Sequence, residues 1–165
     1  MGSVVQPSQL PQLRQSLRGK IMVFTNGCFD LLHLGHIKYL QQSKELGDVL
    51  VVGVNSDTST TALKGPHRPL IGEGARAETI AALGCVDYVV IFSELTAENV
   101  ISVLEPQVYV KGGDYASEED IPESKLVRSY GGKVELLTFV PGFSTSSIIE
   151  SIVERYSPQK QTSQQ

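Results

Sequence analysis

The chain has 165 residues, enough for one domain with a substantial core. Its 41% hydrophobic and 19% charged content is ordinary for a globular protein. A formal net charge of -4 argues against general binding to nucleic acid or to an anionic membrane surface. No apolar run is long enough to span a bilayer, and no segment reads as a signal peptide. Cys28 and Cys85 lie far apart without CxxC spacing, which predicts reduced thiols in a cytoplasmic protein.

Residues 1 to about 8 are polar, with Gly, Ser and Pro, and are expected to be loose. Leu10, Leu13 and Leu17 have helical spacing, so residues 1–18 read as an extension carrying a short helix, ended by Gly19-Lys20. Ile21-Met22-Val23-Phe24 is a buried strand leading into a turn that contains Gly27. A helix is predicted from near His33 or Leu34 to about Leu46, with Leu34, Ile37, Leu40 and Leu46 inward and Gly47 as its stop. Val49-Leu50-Val51-Val52-Gly53-Val54 then has the continuous apolar character of a buried parallel strand. Strand, helix and strand in this order imply a right-handed crossover. Residues 55–72 read as a long connection rich in Thr, Ser, Gly and Pro, of the kind that is functional or mobile in compact domains. A helix from about Glu73 to Leu83, a strand from Val86 to Phe92, and a short helix capped by Thr96 follow. Val108-Tyr109-Val110 is the fourth strand, Glu123 to Tyr130 a helix, and Val134-Glu135-Leu136-Leu137 the fifth strand. The last helix has a Ser147/Glu150 capping box and a buried face of Ile148, Ile149, Ile152 and Val153, and residues 157–165 read as a disordered tail. The alternation predicts an α/β domain over residues 19–156 with a five-stranded parallel sheet.

The chemistry concentrates in Thr25-Asn26-Gly27-Cys28-Phe29-Asp30-Leu31-Leu32-His33-Leu34-Gly35-His36. A strand, a glycine turn and a helix N-terminus form a phosphate-binding corner, because first-turn amides and the helix dipole both favour an anion there. His33 and His36 are three residues apart and share a helical face, and Gly35 between them leaves room for a close approach. Two other readings of these residues stay open, a satisfied polar pair at a helix start and a metal face of Asp30, His33 and His36. Lys64, His67, Arg68 and Arg76 form either a solvated basic loop or a clamp for a triphosphate. Lys111-Gly112-Gly113-Asp114 follows the fourth strand, at the edge where open α/β sheets bind ligands. Its glycines let backbone approach a base or ribose, and Asp114 can accept from a hydroxyl; the bland alternative is a glycine turn with a capping aspartate. Ser144-Thr145-Ser146-Ser147 offers hydroxyls and helix-start amides to phosphates, or simply caps its helix.

The pattern Gly-x-Phe-Asp-x-x-His-x-Gly-His after a first strand resembles the signature of the HIGH-motif, cytidylyltransferase-like nucleotidyltransferases. The likeness runs from about Gly19 to Tyr156. It implies a Rossmann-like three-layer α/β/α fold and transfer of a nucleotidyl group from a nucleoside triphosphate to a phosphate. It also implies catalytic roles for His33, His36, Lys64 and Arg76, and nucleotide-binding roles for Asn26, Gly27, Cys28, Phe29, Asp30, Gly35, Lys111, Gly112, Gly113, Asp114, Ser144, Thr145 and Ser146. Mg²⁺ is expected to be bound through the ATP phosphates, and Asp30 to orient the turn or a histidine or to help place the metal. The chain departs from the family pattern at its C-terminal motif, which has no nearby cation and has Phe139 where some relatives carry arginine.

A narrower likeness rests on Val52-Gly53-Val54-Asn55-Ser56-Asp57, Leu63-Lys64-Gly65-Pro66, Arg68-Pro69, Cys85-Val86-Asp87-Tyr88-Val89-Val90-Ile91-Phe92 and Val110-Lys111-Gly112-Gly113-Asp114-Tyr115. These strings look like the adenylyltransferases of ADP-heptose synthesis, which are often fused to a sugar kinase. That resemblance implies ATP and D-glycero-β-D-manno-heptose 1-phosphate as substrates, ADP-heptose and pyrophosphate as products, and a homo-oligomer, a dimer or larger. It implies neither nucleic-acid nor membrane partners. A cytidylyltransferase for glycerol 3-phosphate or a related alcohol phosphate shares the first motif, and a nucleotide-binding module without turnover is the alternative from another class.

Overall fold

The computed structural model describes residues 1–113, 117–138 and 142–157. Six parallel strands form one sheet in the order β1-β4-β3-β2-β5-β6. They are β1 (Ser3–Val5), β2 (Met22–Gly27), β3 (Val49–Asn55), β4 (Tyr88–Phe92), β5 (Val108–Gly112) and β6 (Lys133–Leu137). The helices are α1 (Leu10–Ser16), α2 (Leu34–Lys44), α3 (Asp57–Lys64), α4 (Glu73–Ala81), α5 (Glu98–Leu104), α6 (Ser124–Ser129) and α7 (Thr145–Tyr156). Period-two alternation divides the core. Met22, Phe24, Val49 and Val51 face one cluster with Leu10, Leu13, Val100, Ile101 and Val127 from α1, α5 and α6. Val23, Leu50, Val52 and Val54 face the other, with Tyr39, Leu40, Ala77 and Ile80 from α2 and α4. Helices therefore cover both faces, as a parallel sheet requires, and the three-layer Rossmann-like architecture is the one the family resemblance implies.

The sheet has six strands rather than five because the N-terminus is not loose. Ser3–Val5 pairs with β4, Gly2 N donates to the Ala81 carbonyl at 2.8 Å, and Ser3 N donates to the Asp87 carbonyl at 3.0 Å. Val4 packs on one core cluster and Val5 on the other, so two β-branched residues suffice to cover the edge of β4. The stretch 55–72 also differs from a plain connection, since α3 occupies much of it. Its Thr-rich sequence lacks an apolar stripe, but Ser56 Oγ caps it by accepting from Ser59 N at 3.2 Å. Buried Thr60 satisfies its own hydroxyl on the Asn55 carbonyl at 3.3 Å. The short α5 begins with Ala97, not Thr96, as N-cap; Ala97 N instead donates to the Glu123 carboxylate at 3.0 Å.

Two apolar assignments move outward. Leu34 is 43% exposed, whereas Tyr39 and Leu40 carry the buried face of α2. Helix α7 is capped by Ser144 with Ser147, three residues earlier than Ser147 with Glu150, and none of its residues is buried. Ile148 and Ile149 are half-buried, but Ile152 and Val153 are 50% and 56% exposed, so this end of the expected buried face has no cover among the described residues. Of the predicted disordered tail 157–165, only Ser157 lies within the described residues.

The sheet order reverses at β2, whose neighbours are β3 on one side and β5 on the other. The two connections leave to opposite faces and open a crevice at the C-terminal ends of β2 and β5, the place where such sheets take ligands.

Substituting Val4→Asp tests the extra strand. A loose segment would tolerate it, whereas a paired strand packed at the sheet edge should lose about 1–3 kcal/mol, read as a lower Tm and lower urea midpoint.

Candidate active site

The crevice is entered by the turn between β2 and α2. Phe29 within it has φ +47°, the left-handed region that a bulky L-residue rarely adopts. Its ring is 6% exposed and meets the His36 ring edge-on at 5.3 Å. Gly27 is required beneath it, since a Cβ there would lie 3.1 Å from the Phe29 ring.

His33 is the N-cap of α2, and its Nδ1 accepts from His36 N at 3.4 Å. That contact leaves the proton of the neutral ring on Nε2, free to donate. The His33 and His36 rings stack at 3.8 Å. Gly35 makes this possible: a Cβ there would stand 3.0 Å from the His33 ring, so what the glycine admits is the imidazole itself. Burial pushes the His36 pKa from its usual 6.5 down to about 4, with His33 adding to the fall and the Leu31 carbonyl opposing it. Burial also lowers the pKa of His33. At neutral pH the pair is two uncharged donors at a helix start. His36 Nδ1 is buried and has no partner among the described residues.

Asp30 is buried and fully engaged. One oxygen accepts from Leu70 N at 2.8 Å and Ile71 N at 2.9 Å, and the other pairs with the Arg68 guanidinium. It therefore fastens the loop after α3 onto the motif turn, rather than orienting a histidine or completing a metal face with the histidines. Among the described residues no group of three or more His, Cys, Asp or Glu is placed to hold a metal.

Arg76 is also buried, with 1% exposure, although the sequence cast it as a cation for phosphate. Its guanidinium donates to the Ile71 carbonyl at 2.8 Å, to the Cys28 carbonyl at 2.5 Å and to Asp57 at 2.7 Å. The fork is spent on protein acceptors and holds the backbone of the motif turn. Lys64, by contrast, ends α3 exposed to solvent, without an ion pair among the described residues.

On the β5 side, Lys111 Nζ donates to Asn26 Oδ1 at 3.1 Å and to Tyr109 Oη at 3.1 Å, and Tyr109 donates to the same Asn26 oxygen at 2.8 Å. Asn26 thus bridges β2 to β5 across the crevice mouth. Gly112 ends β5 and Gly113 has φ +145°; Asp114 lies outside the described residues, as does Phe139. Cys28 is half-buried, and its carbonyl is the part of it that the site uses.

Ser144, Thr145 and Ser146 reach the same corner. The β-carbon of Phe143 lies 3.4 Å from where a Gly35 Cβ would stand, so the start of α7 sits against the start of α2. Ser144 Oγ is occupied as the cap, accepting from Ser147 N at 3.0 Å, which leaves Thr145, Ser146 and the first-turn amides of α7 for a ligand. Sequence reasoning missed Tyr109 and Glu123. The former resembled any aromatic in a strand, and the latter follows Glu118-Glu119-Asp120, which reads as solvated acid.

A parallel sheet with a switch-point crevice, two apposed helix N-termini and a neutral histidine pair defines a nucleotide-handling α/β protein. The chain belongs to the cytidylyltransferase-like family, whose pattern matches residues 24–151. It is 58% identical over 143 residues to the bifunctional protein HldE of Pelobacter propionicus and 60% identical over 138 residues to that of Geotalea uraniireducens. These alignments take in 87% and 84% of this chain but only 29% and 28% of the relatives, so the chain spans less than a third of their length. Among solved structures, the lipopolysaccharide core biosynthesis protein of Thermoplasma volcanium superposes with a TM-score of 0.61 at 35% identity, over 74% of this chain and 98% of that one. The pantoate-beta-alanine ligase of Francisella tularensis gives the same TM-score at 14% identity, over 93% of this chain and 78% of that one, a likeness of fold alone.

Two outcomes are expected in the substrate-free protein. Arg76→Ala should lower the stability by about 1–3 kcal/mol, because it leaves the Cys28 and Ile71 carbonyls without their donor, whereas a residue serving only phosphate would leave the apo Tm unchanged. His36 is charged more easily in the unfolded chain, so its contribution is fully present above pH 6.5 and is lost as pH falls towards 4. The drop from 6.5 to about 4 bounds that loss at about 3 kcal/mol, and His36→Phe should flatten this part of the stability–pH curve.

Proposed function

We propose that this chain transfers AMP from MgATP to D-glycero-β-D-manno-heptose 1-phosphate, giving ADP-heptose and pyrophosphate. The observation that carries transfer is the stacked His33–His36 pair, half-buried and neutral at a helix N-terminus in the switch-point crevice. The heptose acceptor is supported by the sequence strings shared with the adenylyltransferases of ADP-heptose synthesis, and by the likeness to HldE and to a lipopolysaccharide core biosynthesis protein.

A sugar phosphate has its second pKa near ~6, so the acceptor arrives as a nucleophile and the site needs no general base. Its phosphate oxygen attacks the α-phosphorus in line, the new P–O bond forms, and the α–β anhydride bond breaks with its electron pair leaving on pyrophosphate. The protein contributes position and charge stabilisation. His33 Nε2 and the imidazole of His36 donate to α- and β-phosphate oxygens as charge builds, without themselves losing protons. The amides starting α2 and α7, with Thr145 and Ser146, hold the remaining phosphate oxygens, and Lys64 closes over the pyrophosphate. Asn26, Gly27, Cys28 and Phe29 shape the turn around the nucleotide, while Lys111, Gly112 and Gly113 line the opposite wall with Asp114. Arg76 and Asp30 act through the turn they hold. The divalent ion is written as part of the MgATP substrate.

Pyrophosphate release, with ATP, CTP, GTP and UTP each crossed against heptose 1-phosphate and glycerol 3-phosphate, tests the reading. Release confined to ATP with the heptose phosphate is expected. Release with CTP and glycerol phosphate would replace the substrates, and ATP binding without release from any pair would make this a binding module. His33→Ala and His36→Ala should each cut kcat by about 10²–10³ while the fold is retained. With the histidines neutral, kcat/KM for the acceptor should stay flat from about pH 7 to 8.5 and fall only below about pH 6, as the acceptor phosphate protonates.

A further inference from the structure

The N-terminal edge of the sheet, opposite the crevice, carries a second concavity. A cleft of about 800 Å³ opens there between the ends of α1 and α5 and the turn that follows α6. That size falls within the roughly 300–1,000 Å³ of small-molecule sites. Met22, the first residue of β2, is part of its lining, whereas Gly27, the last, belongs to the motif turn. Five residues of strand, about 17 Å, therefore separate the cleft from the histidine corner.

The charge of the cleft is one-sided. Arg14 from α1, and Arg18 and Lys20 from the turn after it, line the cleft against one carboxylate, that of Glu105. In a chain of net charge -4, this is a local reversal of sign. Glu105 pairs with Arg14, and both side chains stay in contact with solvent. Arg18 and Lys20 are exposed and have no ion pair among the described residues.

Two features of the wall go beyond what the fold needs. Tyr130 lines the cleft with its ring packed on the core, and its Oη is buried without a hydrogen-bond partner among the described residues. Burial and the Glu105 carboxylate push the Tyr130 phenol up, with Arg14 opposing, so at neutral pH the hydroxyl is an unused donor. Gly132 admits this ring, since a Cβ there would stand 2.7 Å from it. Glu105 is the second feature. It ends α5 at φ +43°, the left-handed position that helices usually give to glycine, and from there its carboxylate reaches Arg14.

We propose that this cleft is a second, non-catalytic site for a phosphate ester of a hydroxyl-bearing small molecule, with Arg18 and Lys20 meeting the phosphate and Tyr130 donating to the ester body. A guanidinium fork and an ammonium point charge together suit a phosphate dianion. Gln15 and Gln107 add neutral amides to the same lining, as a polar body requires. The site stands on its own residues and does not depend on the reaction proposed above. The body is a sugar or a nucleoside, and two probes separate them.

Residue-resolved NMR titration of the whole chain reads the two ends of the sheet apart, without turnover. The amides of Gly19, Gly131 and Gly132 report on the cleft, and those of Gly27 and Gly35 on the crevice. The probes are glucose 6-phosphate, ADP and inorganic phosphate at constant ionic strength. At least one ester is expected to shift the cleft amides saturably, with a Kd below about 1 mM and about tenfold or more tighter than inorganic phosphate. Tighter binding of glucose 6-phosphate assigns a sugar phosphate, and tighter binding of ADP a nucleotide. The double variant R18A/K20A removes two exposed side chains without stranding a partner, so the fold is kept. It should weaken the cleft response about tenfold or more and leave the crevice amides unchanged. Y130F should weaken ester binding about threefold to tenfold and leave inorganic phosphate unaffected, and an unchanged ester Kd would overturn the tyrosine contact. The site itself would be overturned by esters that bind no tighter than inorganic phosphate, by a cleft response that R18A/K20A leaves in place, or by no response up to about 10 mM of any probe.

Discussion

The motif turn between β2 and α2 exists in a conformation that its own residues do not favour. A phenylalanine at φ +47° costs about 1–3 kcal/mol relative to extended or helical backbone, and it persists only where its surroundings dictate it. Two buried charges supply that constraint. Arg76 reaches from α4 to the carbonyl of Cys28, just before Phe29, and Asp30, just after it, collects two amides and a guanidinium from the loop that precedes α4. The strained residue is clamped on both sides by side chains that are themselves fully bonded. Helix α4 and the 65–72 loop thereby hold the turn in place.

With the turn fixed, the histidines follow. His36 rests edge-on against Phe29, His33 stacks on His36, and the missing side chain at Gly35 is what permits the stack. The result is a half-buried pair of rings whose pKa values burial lowers, so that both are neutral at neutral pH, placed where the amides of α2 already provide partial positive charge. Neutral donors suit this position. They strengthen bonds to oxygen as negative charge develops, and they need not reorganise while it does.

Much of this was legible in the sequence. The four central strands are built on apolar runs, and the helix–strand alternation favours parallel pairing with crossovers. The HxGH spacing marked the corner itself. What escaped the sequence did so for physical reasons. Strand β1 is three residues long, too short for a periodic signal, and its stability comes from the open edge of β4 rather than from local preference. Helix α3 is held by caps and by hydroxyl-to-backbone bonds, which leave no apolar stripe to detect. Arg76 and Lys64 look equivalent as cations in a chain read linearly. Only the packing of α4 on the sheet decides that one is buried among carbonyls and the other faces water.

That decision redistributes the positive charge of the site. The sequence suggested a clamp built from the loop after β3, with Lys64 and Arg76 together. Once Arg76 is committed to the backbone of the turn, two of the cations named from the sequence remain to compare, Lys64, exposed at the end of α3, and Lys111, at the end of β5. The two differ in kind. Lys64 is solvated and carries the rotamer freedom of a long surface side chain, so its contacts are formed on demand and cost entropy to order. Lys111 is already ordered by Asn26, Tyr109 and Glu123, and what it meets is met without further loss of freedom. A fixed charge and a mobile one therefore differ in what it costs each of them to meet an anion.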